Sequence, residues 1–383
     1  MTRTRRLRRT AVMAAAVLTL CGCAAADTAP TATPSSSVPA SPSASPTPND
    51  PTASMSLSEK VAQLFMVGTP VDAVNDTTLA AVRDDGVGGL FLHGRSTDDI
   101  DATAALVDQF TGFASSELPL WVATDQEGGQ VQVLSGPGFD DIPSAVEQGQ
   151  MDAAALRSAA ATWGEQLARA GITMNLAPVA DIVPNGSAAT NPPIGALHRQ
   201  YGGDEKAVAA GAGAFAAGMR DAGILPTLKH FPGLGYVTAN TDFSTGVVDD
   251  VVTAGGPDMG VYRTLLGEGA AVVMMSTAIY ANIDPELPAA FSSDVISLLR
   301  DDIGFNGVIT TDDLSAASQV SAWPPAQRAT MAIDAGVDLL LVSSDPSVYP
   351  EMRDAVLERA KDDPDFASKV DAAAHRIAAA KAE

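Results

Sequence analysis

Eight short apolar runs, each followed by a stretch suited to a helix or a loop, constrain the fold of this chain more than any other feature. They read QLFMVG (63–68), GGLFLH (88–93), LWVATD (120–125), TMNLAP (173–178), LPTLKH (225–230), VVMMST (272–277), GVITTD (307–312) and DLLLVS (338–343). Their apolar residues are continuous rather than alternating, which marks strands buried on both faces of a parallel sheet. Between them lie DTTLAAVRDDG (76–86), AAALRSAAATWGEQLARAG (153–171), EKAVAAGAGAFAAGMRDAG (205–223) and SDVISLLRDDIG (293–304), each of helical period and each ending in glycine. Eight strand–helix units predict an α/β fold of the (β/α)8 TIM-barrel type, as a single domain. An open doubly wound sheet is the competitor, but no glycine-rich phosphate fingerprint follows the first strand.

The segment before the barrel has a different character. MTRTRRLRRT, AVMAAAVLTL and CGCAAA supply the basic, apolar and small-residue parts of an export signal. Leu20-Cys21-Gly22-Cys23 resembles a bacterial lipobox, so residues 1–22 are expected to be a lipoprotein signal peptide and Cys23 the lipidated residue. Residues 23–54 are rich in Pro, Ser, Thr and Ala and read as a disordered tether, leaving 55–383 for the barrel. These expectations place the protein outside the cytoplasm, held on the membrane by a lipid anchor. Both cysteines lie in the leader, so the barrel has neither disulfide nor thiol chemistry. The net charge is −23, and removing the five leader arginines takes it to about −28. Such an acidic surface excludes nucleic acid as a partner. A monomer is expected.

Barrel chemistry gathers where strands end at their C-termini. The polar residues there are His93, Asp125 with Glu127, Asn175, Asp181, Lys229 with His230, Ser276, and Asp312 with Asp313. Carboxylates dominate, as they do in carbohydrate sites and in cation sites. No metal-ligand spacing is present. Any one of these acids could instead cap the next helix.

The motifs ATDQEGGQV (123–131), NLAPVADI (175–182), KHFPGLG (229–235), FSSDVISLLRDDIGFNGVITTDDLS (291–315) and AIDAGVDLLLV (332–342) occur in this order. Together they resemble the N-terminal barrel of glycoside hydrolase family 3, in its single-domain bacterial β-N-acetylglucosaminidase form. The resemblance implies a retaining β-glycosidase that releases terminal N-acetylglucosamine from cell-wall saccharides and needs no cofactor or metal. It implies Asp312 as the nucleophile, with Asp125, Lys229, His230 and Arg199 gripping the sugar. The spacing before Arg199 is longer than the family's. Asp313 is expected to support its loop, Glu127 to be structural, His93 and His198 to be structural or at the surface, and His375 to face solvent.

The chain also departs from that family. Its enzymes carry a histidine acid/base, oriented by an aspartate, on the loop that follows the Lys-His pair. Here the loop LGYVTANTDF (234–243) contains no histidine, and Leu234 replaces another. Gln130 and Val133 stand where arginines are usual, and Thr277 where a histidine is common. Asp242 is then the candidate acid/base, its pKa raised by closure against apolar Tyr236 or Phe243. The competing reading makes Asn240-Thr241-Asp242 a plain turn. Two further readings of the whole chain stay open: a catalytically silent barrel lipoprotein binding saccharide or a partner, and a β-glycosidase for a sugar without an N-acetyl group.

Overall fold

The computed structural model describes residues 51–115 and 118–382. The expected signal peptide, Cys23 and all but the last residues of the tether lie outside the described residues. All eight expected strands form: β1 Phe65–Pro70, β2 Gly89–His93, β3 Trp121–Thr124, β4 Met174–Asn175, β5 Leu225–Phe231, β6 Val272–Met275, β7 Ile309–Thr311 and β8 Leu340–Val342. Each pairs in parallel with its sequence neighbour from β1 to β7, and β1 returns to pair with β8. A parallel bridge between Thr310 and Leu339 joins β7 to β8 and completes the ring. The (β/α)8 expectation therefore holds.

Local chemistry explains the elements. The 17-residue helices Ala153–Arg169 and Glu205–Asp221 begin at Asp152 and Asp204, whose carboxylates accept amides of the first turn. Of the four expected helices, 76–86 and 293–304 start as α-helix and finish as a π turn, over Ala81–Asp85 and Leu298–Asp302. The fourth strand is shorter than expected, ending at Asn175, and its pairing with β5 resumes beyond Pro178 as a bridge between Val179 and Lys229. Strand residues such as Phe65, Leu90, Val122, Met174, Leu228, Val273, Ile309 and Leu340 are at most 1% exposed and make one continuous core with the surrounding helices.

Two loops at the C-terminal ends shape the site. After β3, Gln126–Gly128 and Val131–Gln132 form a tight hairpin. Its turn needs Gly128 at φ 101°, where a Cβ would lie 2.3 Å from the Pro143 carbonyl oxygen. After β5, the chain crosses the post-β4 loop backbone to backbone at Gly235, where a Cβ would lie 1.9 Å from the Ile182 oxygen. Asn191 Nδ2 then donates to the carbonyls of Leu234 and Val237, and Tyr280 Oη to that of Gly233. The post-β5 loop is thus fastened along its first half before it reaches Asp242.

Candidate active site

A cavity of about 580 Å³ opens at the C-terminal ends of the strands. Asp125, Arg199, Lys229, His230, Asp242 and Asp312, the six side chains singled out for binding and catalysis, all line it. A larger cavity of about 810 Å³ sits at the opposite end, between Trp121, Leu225, Val272 and Phe305, and holds none of these acids.

Lys229 projects from β5 and is 3% exposed. Its Nζ donates to Asp125 Oδ1 at 2.7 Å and lies 2.7 Å from Glu127 Oε1. Arg199 takes both oxygens of Glu127, Nε to Oε2 at 2.8 Å and Nη2 to Oε1 at 2.7 Å, and donates Nη1 to the Pro193 carbonyl. Burial alone would raise the Glu127 carboxyl, but Arg199 and then Lys229 outweigh it and hold it at about 2. Burial likewise opposes the charge on Lys229, yet Asp125 and then Glu127 keep its pKa above the usual lysine value. Glu127 is therefore the hub that fixes two cations, in keeping with its expected structural role, and Asp125 keeps an open edge toward the cavity.

Glu127→Gln takes from Arg199 its carboxylate partner and leaves Lys229 with Asp125 alone. Removing one partner of a buried ion pair costs about 3–5 kcal/mol. The denaturation midpoint should fall accordingly and KM should rise as Arg199 and Lys229 lose their positions. An unchanged midpoint in urea unfolding would contradict the hub role.

His230 follows Lys229 and is held by one carboxylate. Asp181, fully buried after β4, receives His230 Nδ1 at 2.8 Å, the His230 amide at 3.1 Å and the Leu234 amide at 2.8 Å. That leaves Nε2 as the imidazole atom available to the cavity. Asp181 was visible in the sequence only as one strand-end acid among several. The signal that could have singled it out is its place after β4, beside the Lys-His motif that follows β5.

The two remaining acids differ. Asp312 ends β7 with its amide on the Met275 carbonyl, and its Oδ1 accepts the Asp313 amide at 2.9 Å. Asp313 is fully occupied otherwise, accepting from Ser315 Oγ and from the amides of Ser315, Ala316 and Ser343. It locks the loop between β7 and β8, as expected. Asp242 reaches the same cavity from the post-β5 loop. The local turn is real, but Asn240 makes it: Asn240 Oδ1 accepts the Asp242 amide at 2.8 Å and its carbonyl accepts the Phe243 amide. Among the described residues, no donor reaches the Asp242 carboxylate.

That carboxyl is raised to about 6, first by loss of water around it in the cavity and then by the negative charge of Asp312. As a whole residue, Asp242 is nonetheless exposed to solvent. The local cause expected from sequence does not hold. Phe243 does not close over Asp242, since its ring is 82% exposed, and Tyr236 is not part of the cavity wall. Leu234, in the histidine's place, is 2% exposed and contributes an apolar patch to the wall. His198 and His375 are exposed and His93 is half-buried, and none of the three lines the cavity.

Residues 56–380 match the Glycosyl hydrolase family 3 N terminal domain. The chain belongs to glycoside hydrolase family 3. Among solved structures, it is similar to a β-N-acetylhexosaminidase from Beutenbergia cavernae, with 53% identity and a TM-score of 0.85 over 86% of this chain and 100% of that one. A family 3 β-N-acetylglucosaminidase from a Paenibacillus species is 30% identical, with a TM-score of 0.79 over 86% of this chain and 62% of that one. The β-hexosaminidase LpqI of Mycobacterium tuberculosis is 35% identical over 299 residues, 76% of this chain and 74% of that protein.

Proposed function

We propose that this family 3 barrel is a retaining β-glycosidase that removes terminal β-N-acetylglucosamine, with saccharides of cell-wall origin as its substrates. One observation carries the catalytic part: Asp242 and Asp312 line one cavity, and the negative charge of the second helps to keep the first protonated. Asp312 attacks the anomeric carbon and forms a glycosyl-aspartate, while Asp242 gives its proton to the departing glycosidic oxygen. Asp242, now ionised, takes a proton from the water that releases the sugar. Asp125 accepts from sugar hydroxyls, and Arg199, Lys229 and His230 Nε2 donate to the substrate. The choice of N-acetylglucosaminides is supported by the activities of the similar β-hexosaminidase, β-N-acetylhexosaminidase and β-N-acetylglucosaminidase. Our reading of the leader adds a lipid anchor at Cys23 and a site outside the cytoplasm.

A β-glycosidase for a sugar without the N-acetyl group is the second reading. It is permitted by Val133, which stands where the family's enzymes usually carry an arginine and is buried outside the cavity wall. Hydrolysis of 4-nitrophenyl β-N-acetylglucosaminide and 4-nitrophenyl β-glucoside separates the two. The first should be preferred by roughly tenfold or more in kcat/KM. Preference for the glucoside favours the second reading, and saccharide binding with neither substrate cleaved favours a silent barrel.

A further inference from the structure

We propose that Phe243 is the platform on which the leaving-group sugar stacks, so that the loop of Asp242 selects the aglycone as well as protonating it. The inference rests on the reading of Asp242 as the acid. Phe243 is 82% exposed, whereas the other exposed large apolar side chains of the described residues are 36–51% exposed. It stands at the mouth of the cavity that Asp242 and Asp312 line.

The ring is carried on fixed backbone. Thr241 is 2% exposed, and its carbonyl accepts the Gln319 amide at 3.0 Å. The Asp242 carbonyl accepts the Ser318 amide at 3.1 Å, and Asn240 holds the amides of Asp242 and Phe243. Four hydrogen bonds thus anchor the backbone of three residues and fix the point from which the phenyl group leaves the chain. An aromatic presented to water beside an acid, on an anchored backbone, is suited to contact an incoming group.

The direction follows from the chemistry. A proton donor must lie within hydrogen-bond reach of the glycosidic oxygen. The cleaved sugar occupies the cavity floor at Asp312, so the group attached through that oxygen extends outward past Asp242. The next residue along the loop is Phe243. A β-linked pyranose presents a face of C–H bonds, which packs on an aromatic ring while its hydroxyls stay in water.

The test compares two substrates that differ only beyond the glycosidic bond: the β-1,4-linked disaccharide of N-acetylglucosamine, and β-N-acetylglucosaminyl fluoride, whose leaving group is one atom. In Phe243→Ala the ratio of kcat/KM for the disaccharide to that for the fluoride should fall about tenfold, mostly through KM. Phe243→Trp should restore it to within about threefold of the native ratio. A native chain active on both substrates, with the same ratio in Phe243→Ala, overturns the platform alone. A native chain inert on both overturns the glycosidase reading and the platform with it.

Discussion

Asp312→Asn should abolish turnover, lowering kcat/KM by roughly four orders of magnitude or more, while the protein stays folded. The size follows from the role, because losing a nucleophile removes the covalent path and leaves only binding and polarisation. The selectivity follows from the surroundings. Asp312 makes one side-chain bond, from the Asp313 amide to Oδ1, and an asparagine oxygen accepts it equally well. Its backbone amide stays on the Met275 carbonyl regardless of the side chain. A thermal melt should therefore match the native protein closely while the activity assay falls to background. Residual hydrolysis within about tenfold of native would assign the nucleophile elsewhere.

Asp242→Ala produces the second large effect, and its size depends on the leaving group. General acid catalysis contributes roughly 10²- to 10⁴-fold, and it is needed most where the departing oxygen is basic. Saccharides should lose that much, whereas a nitrophenyl glycoside, whose leaving group departs without a proton, should lose far less in the glycosylation step. The pH profile carries the same assignment. A carboxyl titrating at about 6 is about 90% protonated at pH 5 and about 10% protonated at pH 7. The acid form is the active one, so kcat/KM on a saccharide should fall as pH rises through about 6. The alanine variant should lose that alkaline limb. A native profile that stays flat from pH 5 to 8 would remove Asp242 from the proton transfer.

The barrel was legible because each strand is a continuous apolar run of its own, and eight such runs close a ring. Asp125, the Lys-His pair and the Asp-Asp that follows β7 were legible because they sit at strand ends, where barrels keep their chemistry, while Arg199 and the roles of the set came from the family resemblance. What sequence could not carry was partnership. Lys229 meets Asp125, 104 residues before it, and His230 meets Asp181, 49 residues before it. Nothing local to KHFPG announces either contact. The environment of Asp242 shows the same limit. Reading along the chain suggested neighbouring Tyr236 or Phe243 as the cause of a raised pKa, but the folded protein brings in Asp312 from another strand and turns Phe243 to solvent. The missing histidine, in contrast, needed only the sequence, and the structure adds that an apolar, buried Leu234 fills one of the vacated positions.

The replacement of that histidine by Asp242 is tested most directly by adding azide to Asp242→Ala. Azide is a small anion that attacks the glycosyl-Asp312 without needing a base, and the carboxylate that would repel it is gone. Azide should accelerate the variant on a nitrophenyl β-N-acetylglucosaminide and leave the native protein unaffected. The product should be a β-configured glycosyl azide, formed by two inversions at the anomeric carbon. An Asp242→Ala variant that hydrolyses saccharides at the native rate, or an azide product of α configuration, would contradict the assignment.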